Sequence, residues 1–464
     1  MSKTKTKASK LKISEVESKA STIGSKYKKD LKQVRDHYLD YPYPHRDPED
    51  DKKRLMKVYG DYLGEISHWL FEGKKDFKKG FRCMIAGGGT GDSVVYLAEQ
   101  LKDTDAEVVY LDFSKASMEV AKERAKNRGL TNITWINDSI LNVPDLKLGK
   151  FDYIQCSGVL HHLENPDTGF KCLSDSLTED GGINIMVYAK YGRTGVYQIQ
   201  DLLRTANEGI TSRQEEVKNA WDVVNALPKT NWYLRGEDLL ADHKHFGDIG
   251  MYDMFLHKQD RCYDIPELYD FVKKAGLNFV EHNSSHSRIM LKLDSYITNP
   301  DLLARLKKMP KVRQEAMAEI ICGSIIKHQF YASKKKDPIA KLTNLDNVPY
   351  VYTIGNIPKQ TSDYLKINKH LIGGTMKLSW KSDFLGDVSL NIPVSEYTEH
   401  LFRHMIGDSK SLKEIFKGIE KDMGHKIKES DLVTEINKIF PVMLESGALL
   451  LRNKNASLAP MMDT

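Results

Sequence analysis

Cys83-Met84-Ile85-Ala86-Gly87-Gly88-Gly89-Thr90-Gly91 sets four apolar residues directly against a run of glycines, and helical sequence follows. A short apolar run that ends in glycines reads as a buried strand delivering the chain into a tight turn, where backbone can approach a ligand. Working outward, Val108-Val109-Tyr110-Leu111 is a second buried strand, ending at Asp112. Ser117 to Arg128 is an amphipathic helix stopped by Gly129. Ile133 to Ile136, Tyr153 to Cys156 and, after the Gly181-Gly182 turn, Ile183 to Val187 supply three more strands. Strand and helix alternating at this rhythm predict a parallel sheet with right-handed crossovers.

The rest of the chain is organised around that core. Residues 1–24 read as a disordered basic tail and 25–80 as an N-terminal helical strap. The strap is interrupted by Tyr41-Pro42-Tyr43-Pro44-His45-Arg46-Asp47-Pro48, whose prolines forbid a continuous helix. Residues 81–295 are expected to form the sheet domain, with a helical, aromatic-rich insertion at 206–262. Asp264-Ile265-Pro266-Glu267 has the start signals of a helix running to Ala275. Asn278 to His282 and Arg288 to Leu293 are expected as an antiparallel pair closing the sheet edge. Residues 296–345 read as a helical extension and linker. Residues 346–464 read as an accessory module: helices at Val394–His404, Leu412–Asp422 and Asp431–Ser446, then a strand at Gly447–Leu451. The whole is an α/β chain: a doubly wound, mostly parallel sheet of seven strands, a helical insertion, and a small winged-helix-like α+β module.

Composition narrows the function classes. Hydrophobic residues make up 40% and charged residues 29% of 464, a balance that supports packed cores. Lys3, Lys5, Lys7, Lys10 and Lys12 match the entire formal charge of +5, so no strongly basic domain remains for nucleic acid. The Leu412–Asp422 face balances its lysines with acids, which favours protein docking over DNA. No apolar run is long enough for a membrane span. Five scattered cysteines without a CxxC suggest neither a disulfide framework nor a thiolate metal site, and fit a reducing cytoplasm. No metal is expected; His243 and His245 have only Asp242 beside them.

The glycines follow GxGxG. No Lys-Ser/Thr follows them, so they do not form a phosphate-binding P-loop, and Asp92 stands where a dinucleotide turn has its third glycine. A carboxylate there suits a cationic or zwitterionic ligand better than a pyrophosphate. Asp112, 21 residues after Gly91, ends the second strand, where a carboxylate can accept from both hydroxyls of a ribose. The alternative role for Asp112 is capping of the next helix. Asn137-Asp138-Ser139 after the third strand offers a carboxylate to an adenine amino group. Cys156-Ser157-Gly158-Val159-Leu160-His161-His162 follows the fourth.

In this order the segments resemble the core of the class I S-adenosylmethionine-dependent methyltransferases. The resemblance rests on Ile85 to Gly91, Tyr110-Leu111-Asp112-Phe113-Ser114, Phe151 to Ile154 and Leu160-His161-His162-Leu163. Longer stretches over 36–332 are similar to a bacterial subgroup with a YPYP-type N-terminal segment, including Tyr191-Gly192-Arg193-Thr194-Gly195, Thr230-Asn231-Trp232 and Tyr252-Asp253 through Arg261. The resemblance implies S-adenosylmethionine as cofactor, held by Gly87, Gly88, Gly89, Gly91, Asp92, Asp112, Phe113, Asp138, Ser139 and Ser157. It also implies methyl transfer to an acceptor, a protein side chain or a small metabolite. The family commonly has an acid where Ile85 stands, so the contact to the methionine ammonium must come from elsewhere. His161, His162 and Tyr191 are candidate catalytic residues; Tyr188, Arg193, Trp232 and His257 are candidate acceptor contacts. The rival readings are a regulatory protein that binds the cofactor without transfer, and an NAD-binding oxidoreductase, which Asp92 disfavours. The sequence sets neither the acceptor nor an oligomeric state.

Overall fold

The computed structural model describes residues 43–58, 60–257, 259–351, 357–382 and 386–460. The basic tail, the first strap helix, Tyr41 and Pro42 lie outside the described residues. Strands β1 (Arg82–Ala86), β2 (Glu107–Asp112), β3 (Ile133–Asn137), β4 (Phe151–Ser157) and β5 (Leu177–Ala189) run parallel in the order β3-β2-β1-β4-β5. Their side chains alternate between two cores, as the pleat requires. Met84, Val109, Ile154 and Ile185 pack under helices Pro166–Asp175 and Ile265–Lys274 on one face. Cys83, Ile85, Val108 and Tyr153 pack on the other face, under α1 (Leu63–Leu70), α2 (Asp92–Gln100) and α3 (Lys115–Asn127). Both faces are covered, which is why these strands read as continuous apolar runs.

The edge of the sheet departs from expectation. Arg288–Leu293 is not a strand: Ser284 accepts from the Ser287 N–H and starts a helix, Ser285–Met290. Buried Arg288 donates to the carbonyls of His282, Asn283 and Glu445. The alternation of Ile289, Leu291 and Leu293 mimics a strand, and local capping overrides it. The reversed strand is β8 (Lys327–Ser333), inside the segment expected as helical extension and linker. It inserts between β5 and β7 (Asn278–His282), antiparallel to both. Seven strands form the main path, and the two-residue β6 (Cys262–Tyr263) pairs beside the end of β5. The expected helix start holds, and it is a capping box: Asp264 and Glu267 reciprocally satisfy the first turn of Ile265–Lys274.

The helical excursion starts at Thr194, directly after β5, rather than at 206. It comprises α4 (Thr194–Ala206), α5 (Arg213–Asn225), α6 (Asp242–Phe246) and α7 (Asp248–Phe255), with shorter turns between. Val196, Ile199, Leu203, Ala220, Met251 and Phe255 give it a small core of its own. The C-terminal module contains helices Thr398–Met405, Leu412–Met423 and Glu429–Glu445, near the expected ranges. It also contains a helix at Ile357–Ile367 and a hairpin, β10 (Thr375–Ser382) with β11 (Gly386–Pro393), ahead of those three. Its last strand, β12 (Leu450–Asn453), returns to pair antiparallel with β9 (Asn347–Tyr350). No described helix is long and apolar enough to cross a membrane.

Candidate active site

The C-terminal ends of β1, β2, β4 and β5 open into a cavity of about 1110 Å³. The glycine turn forms one wall. Its Gly87 and Gly88 N–H groups donate to the Leu111 carbonyl at 2.8 and 3.2 Å, tying the turn to β2. Gly87 has φ +76° and Gly91 φ +104°, conformations that exclude most side chains. The space that a Cβ would fill is taken by the protein itself. A methyl on Gly88 would lie 2.2 Å from the Tyr110 ring, and one on Gly89 would lie 2.9 Å from the Tyr43 carbonyl oxygen. The glycines therefore let the N-terminal strap lie flat on the turn.

Asp112 ends β2 on the cavity wall, buried. Its Oδ2 accepts from the Gly89 N–H at 2.8 Å and its Oδ1 from the Ser114 N–H at 2.7 Å. Burial pushes the carboxyl up to about 6, although both hydrogen bonds pull the other way. Helix capping falls to Ser114, which accepts from the Ser117 N–H, so Asp112 is not spent on that role. Each oxygen of a carboxylate has two lone pairs, so capacity remains for two hydroxyls. Asp138 stands after β3 on the same wall. Its Oδ1 accepts from the Ser139 N–H and the Asn142 amide, both at 2.7 Å. Its Oδ2 is buried with no hydrogen-bond partner among the described residues. An orphaned buried acceptor calls for a donor, and an adenine amino group fits it.

The strap closes over this wall through charge. Arg46 donates to both oxygens of Asp92, at 2.9 and 2.7 Å. Arg124 bridges Asp92 and Asp51, at 2.6 Å each. The Thr90 hydroxyl donates to the Pro44 carbonyl at 2.7 Å. Burial works against ionisation of Asp92, but the two guanidiniums hold its carboxyl below the usual range. Asp92 is thus occupied by arginines rather than open to a methionine ammonium. In the place of the missing acid, Ile85 pairs in register with Gln155, and both line the cavity beside Ser93.

The other end of the cavity is aromatic and acidic. Tyr188, Tyr43 and Phe246 meet Asp242 and Asp253 there, with Lys327 at the start of β8. Tyr43 contacts Phe246 edge-on at 6.4 Å. Burial, then the charges of Asp253 and Asp242, raise its phenol above the ordinary range. The Arg193 guanidinium stacks on the Tyr188 ring at 3.6 Å. His162 lies on the cavity wall with His257 stacked on it at 4.0 Å, and His161 lies 4.0 Å from the Tyr188 ring. Burial holds the His161 imidazole well below its usual pKa, reinforced by His162, Arg193 and His257, so it stays neutral. His161, His162 and Asp260 bring metal-type donor atoms within 4.8 Å of one another. Arg193 already brings a cation to Asp260, at 3.9 Å. His243 is committed elsewhere, to the Tyr233 hydroxyl at 3.2 Å.

Of the residues singled out from the sequence, Gly87, Gly88, Gly89, Gly91, Asp92, Asp112, Phe113, Asp138, Ser139, Ser157, His162, Tyr188 and Arg193 share this cavity. His161 and His257 sit one layer behind it. Tyr191 lies toward Asp264 and Lys190, outside the wall, and Trp232 is 57% exposed beneath Arg235. Sequence reasoning missed Arg46, Gln155 and Lys327. Arg46 lay within the proline-rich segment, whose prolines signalled an extended stretch but not what it covers. Gln155 and Lys327 had none, because a single polar residue in a strand does not say which face it occupies.

Comparison with known proteins follows the same lines. Residues 84–183 match a family model described as a methyltransferase domain. An uncharacterised protein of Synechococcus sp. is 29% identical over 280 residues, 59% of this chain and 65% of that protein. A demethylmenaquinone methyltransferase of Geobacillus kaustophilus is 29% identical over 112 residues, 24% of this chain and 47% of that protein. The chain spans less than two thirds of the length of either relative. The solved structure of PKMT2 from Rickettsia typhi in complex with AdoHcy shares the fold, with a TM-score of 0.58 at 18% identity. That match covers 85% of this chain and 75% of the other.

Proposed function

We propose that this chain transfers the methyl group of S-adenosylmethionine to an amine, on a protein side chain or a small metabolite. The observation that carries the cofactor is the pair of carboxylates facing one cavity, Asp112 with lone pairs to spare and Asp138 with an orphaned oxygen. Asp112 would hold the ribose hydroxyls and Asp138 the adenine amino group. Gln155 and Ser93 would meet the methionine end. When bound, the cofactor supplies a methyl on positively charged sulfur, open to in-line displacement by a lone pair. The chain's own task is then positioning. Holding an acceptor at near-attack distance is worth about 7–11 kcal/mol of the barrier.

The acceptor class follows from the charge at the other end. Asp242 and Asp253 stand among the rings of Tyr43 and Tyr188, a setting that attracts a cation by charge and by ring faces. An ammonium drawn there must shed a proton before it attacks, and His162 is the imidazole on the wall. The test is calorimetry with S-adenosylhomocysteine, followed by transfer of labelled methyl to amine, hydroxyl and carboxylate acceptors. The expected result is binding in the wild type, its loss in Asp112→Ala with the fold intact by circular dichroism, and label on amines. Undiminished binding by Asp112→Ala overturns the cofactor assignment. Binding without transfer to any acceptor returns the non-catalytic reading.

A further inference from the structure

We propose that Lys327 is itself a methylation target of this site, modified by its own chain. The inference rests on the function proposed above. Lys327 is the first residue of β8 and pairs in register with Tyr188 on β5. Its side chain, like that of Gln329 two residues on, lines the cavity that holds the glycine turn. It is exposed into that cavity rather than packed.

Its amine is uncommitted. Among the described residues Lys327 Nζ makes no hydrogen bond and no ion pair. Lysines elsewhere in the domain are held: Lys190 to Asp264 at 3.0 Å, Lys311 to Glu281 at 3.2 Å. Lys57, the other lysine on the cavity wall, is not without a partner. The enclosing cavity walls desolvate Lys327 although it touches open cavity space, which lowers its pKa against the pull of Asp242 and increases the share of neutral amine. The site thus contains a nucleophile of the same class as the proposed acceptor, on a flexible four-carbon stem.

The step balances as follows. Nζ first releases a proton to solvent. Its lone pair then forms the N–C bond to the methyl carbon as the C–S bond breaks, and that bonding pair stays on sulfur as a neutral thioether. The positive charge moves from sulfur to nitrogen, as a secondary ammonium. No oxidant or further reactant enters. The modified side chain keeps its charge and adds a methyl group at the acceptor end, where it would compete with an incoming amine.

The experiment incubates the full chain with S-adenosylmethionine and no acceptor, and maps methylated peptides by mass spectrometry. Calorimetry with S-adenosylhomocysteine runs on the same preparation. The expected result is methyl on Lys327, at a fractional rate independent of protein concentration, and loss of the methylated peptide in Lys327→Arg. Cofactor binding with Lys327 unmodified, or with methyl on Lys57 or another lysine instead, overturns the inference and leaves the proposed function standing. A rate per molecule that rises with protein concentration overturns modification within one chain. Failure to bind S-adenosylhomocysteine overturns both readings together.

Discussion

Asp112 shows how much one side chain can be asked to do. Its carboxyl is raised to about 6 by burial, so it is ionised at neutral pH and protonated below that value. Protonation turns one acceptor oxygen into a donor. Affinity for S-adenosylhomocysteine is therefore expected to fall about tenfold per pH unit below 6 and to be flat above it. Calorimetry between pH 5 and 8 checks this, and a flat profile throughout refutes the ribose assignment. Asp61 is a second buried carboxyl raised to about 6, by burial foremost, despite hydrogen bonds from Tyr153 and Asn184 at 2.6 and 3.1 Å. Between pH 4 and 6 the unfolded chain has released this proton while the folded chain retains it. Stability thus falls as pH rises through that window and stays lower above it. Asp61→Asn is expected to stabilise by on the order of 2–3 kcal/mol at pH 8 and by little at pH 4. Urea titrations at the two pH values read the difference.

At the scale of elements, the strap has two fastenings with different consequences. The Arg46–Asp92 pair is 24% exposed on each side, whereas Arg124 and Asp51 are 2% and 3% exposed. Rim pairs of the first kind contribute about 0–1 kcal/mol to stability. Arg46→Ala is expected to leave the unfolding midpoint nearly unchanged while speeding dissociation of S-adenosylhomocysteine, measured by stopped flow. Breaking a buried pair strands a charge and costs about 3–5 kcal/mol. Arg124→Met, which leaves buried Asp51 without its cation, should accordingly lower the urea midpoint sharply, and an unchanged midpoint would show that the strap is not anchored there. The inserted helices are located by sterics instead: a Cβ on Gly195 would come within 2.3 Å of the Tyr233 backbone nitrogen.

At the scale of the whole molecule, the C-terminal module has a core of its own, built on Phe402, Ile415, Ile436 and Phe440, and is joined to the main core through its closing strand pair. Tyr350 and Leu450 of its closing strand pair belong to the same apolar cluster as Leu63, Ile66 and Leu70 of α1. The Leu451 N–H donates to the buried His68 Nδ1 at 3.1 Å. Burial lowers that imidazole to about 3, so it remains the neutral acceptor this bond needs across the ordinary pH range. A chain ended after residue 345 would expose α1, and is expected to lose cooperative urea unfolding rather than behave as a separate domain. The sequence suggested a linker there because turn residues such as Asp337-Pro338 mark a change of direction, which is common to linkers and to tight returns.

By itself the sequence determined the parallel strands, the glycine turn and the acids that follow β2 and β3. These depend on local rules: apolar runs bury, glycine alone takes the turn's torsions, and a residue at a strand end stays at the mouth of the sheet. The tertiary structure alone decided which strand reverses, that Asp92 is occupied by Arg46 and Arg124, and that Tyr43, Asp253 and Lys327 face one cavity. Those facts join residues as far apart in the chain as Tyr43 and Lys327. They follow from which apolar surfaces bury one another on collapse, a choice that leaves no periodicity in the sequence to be read.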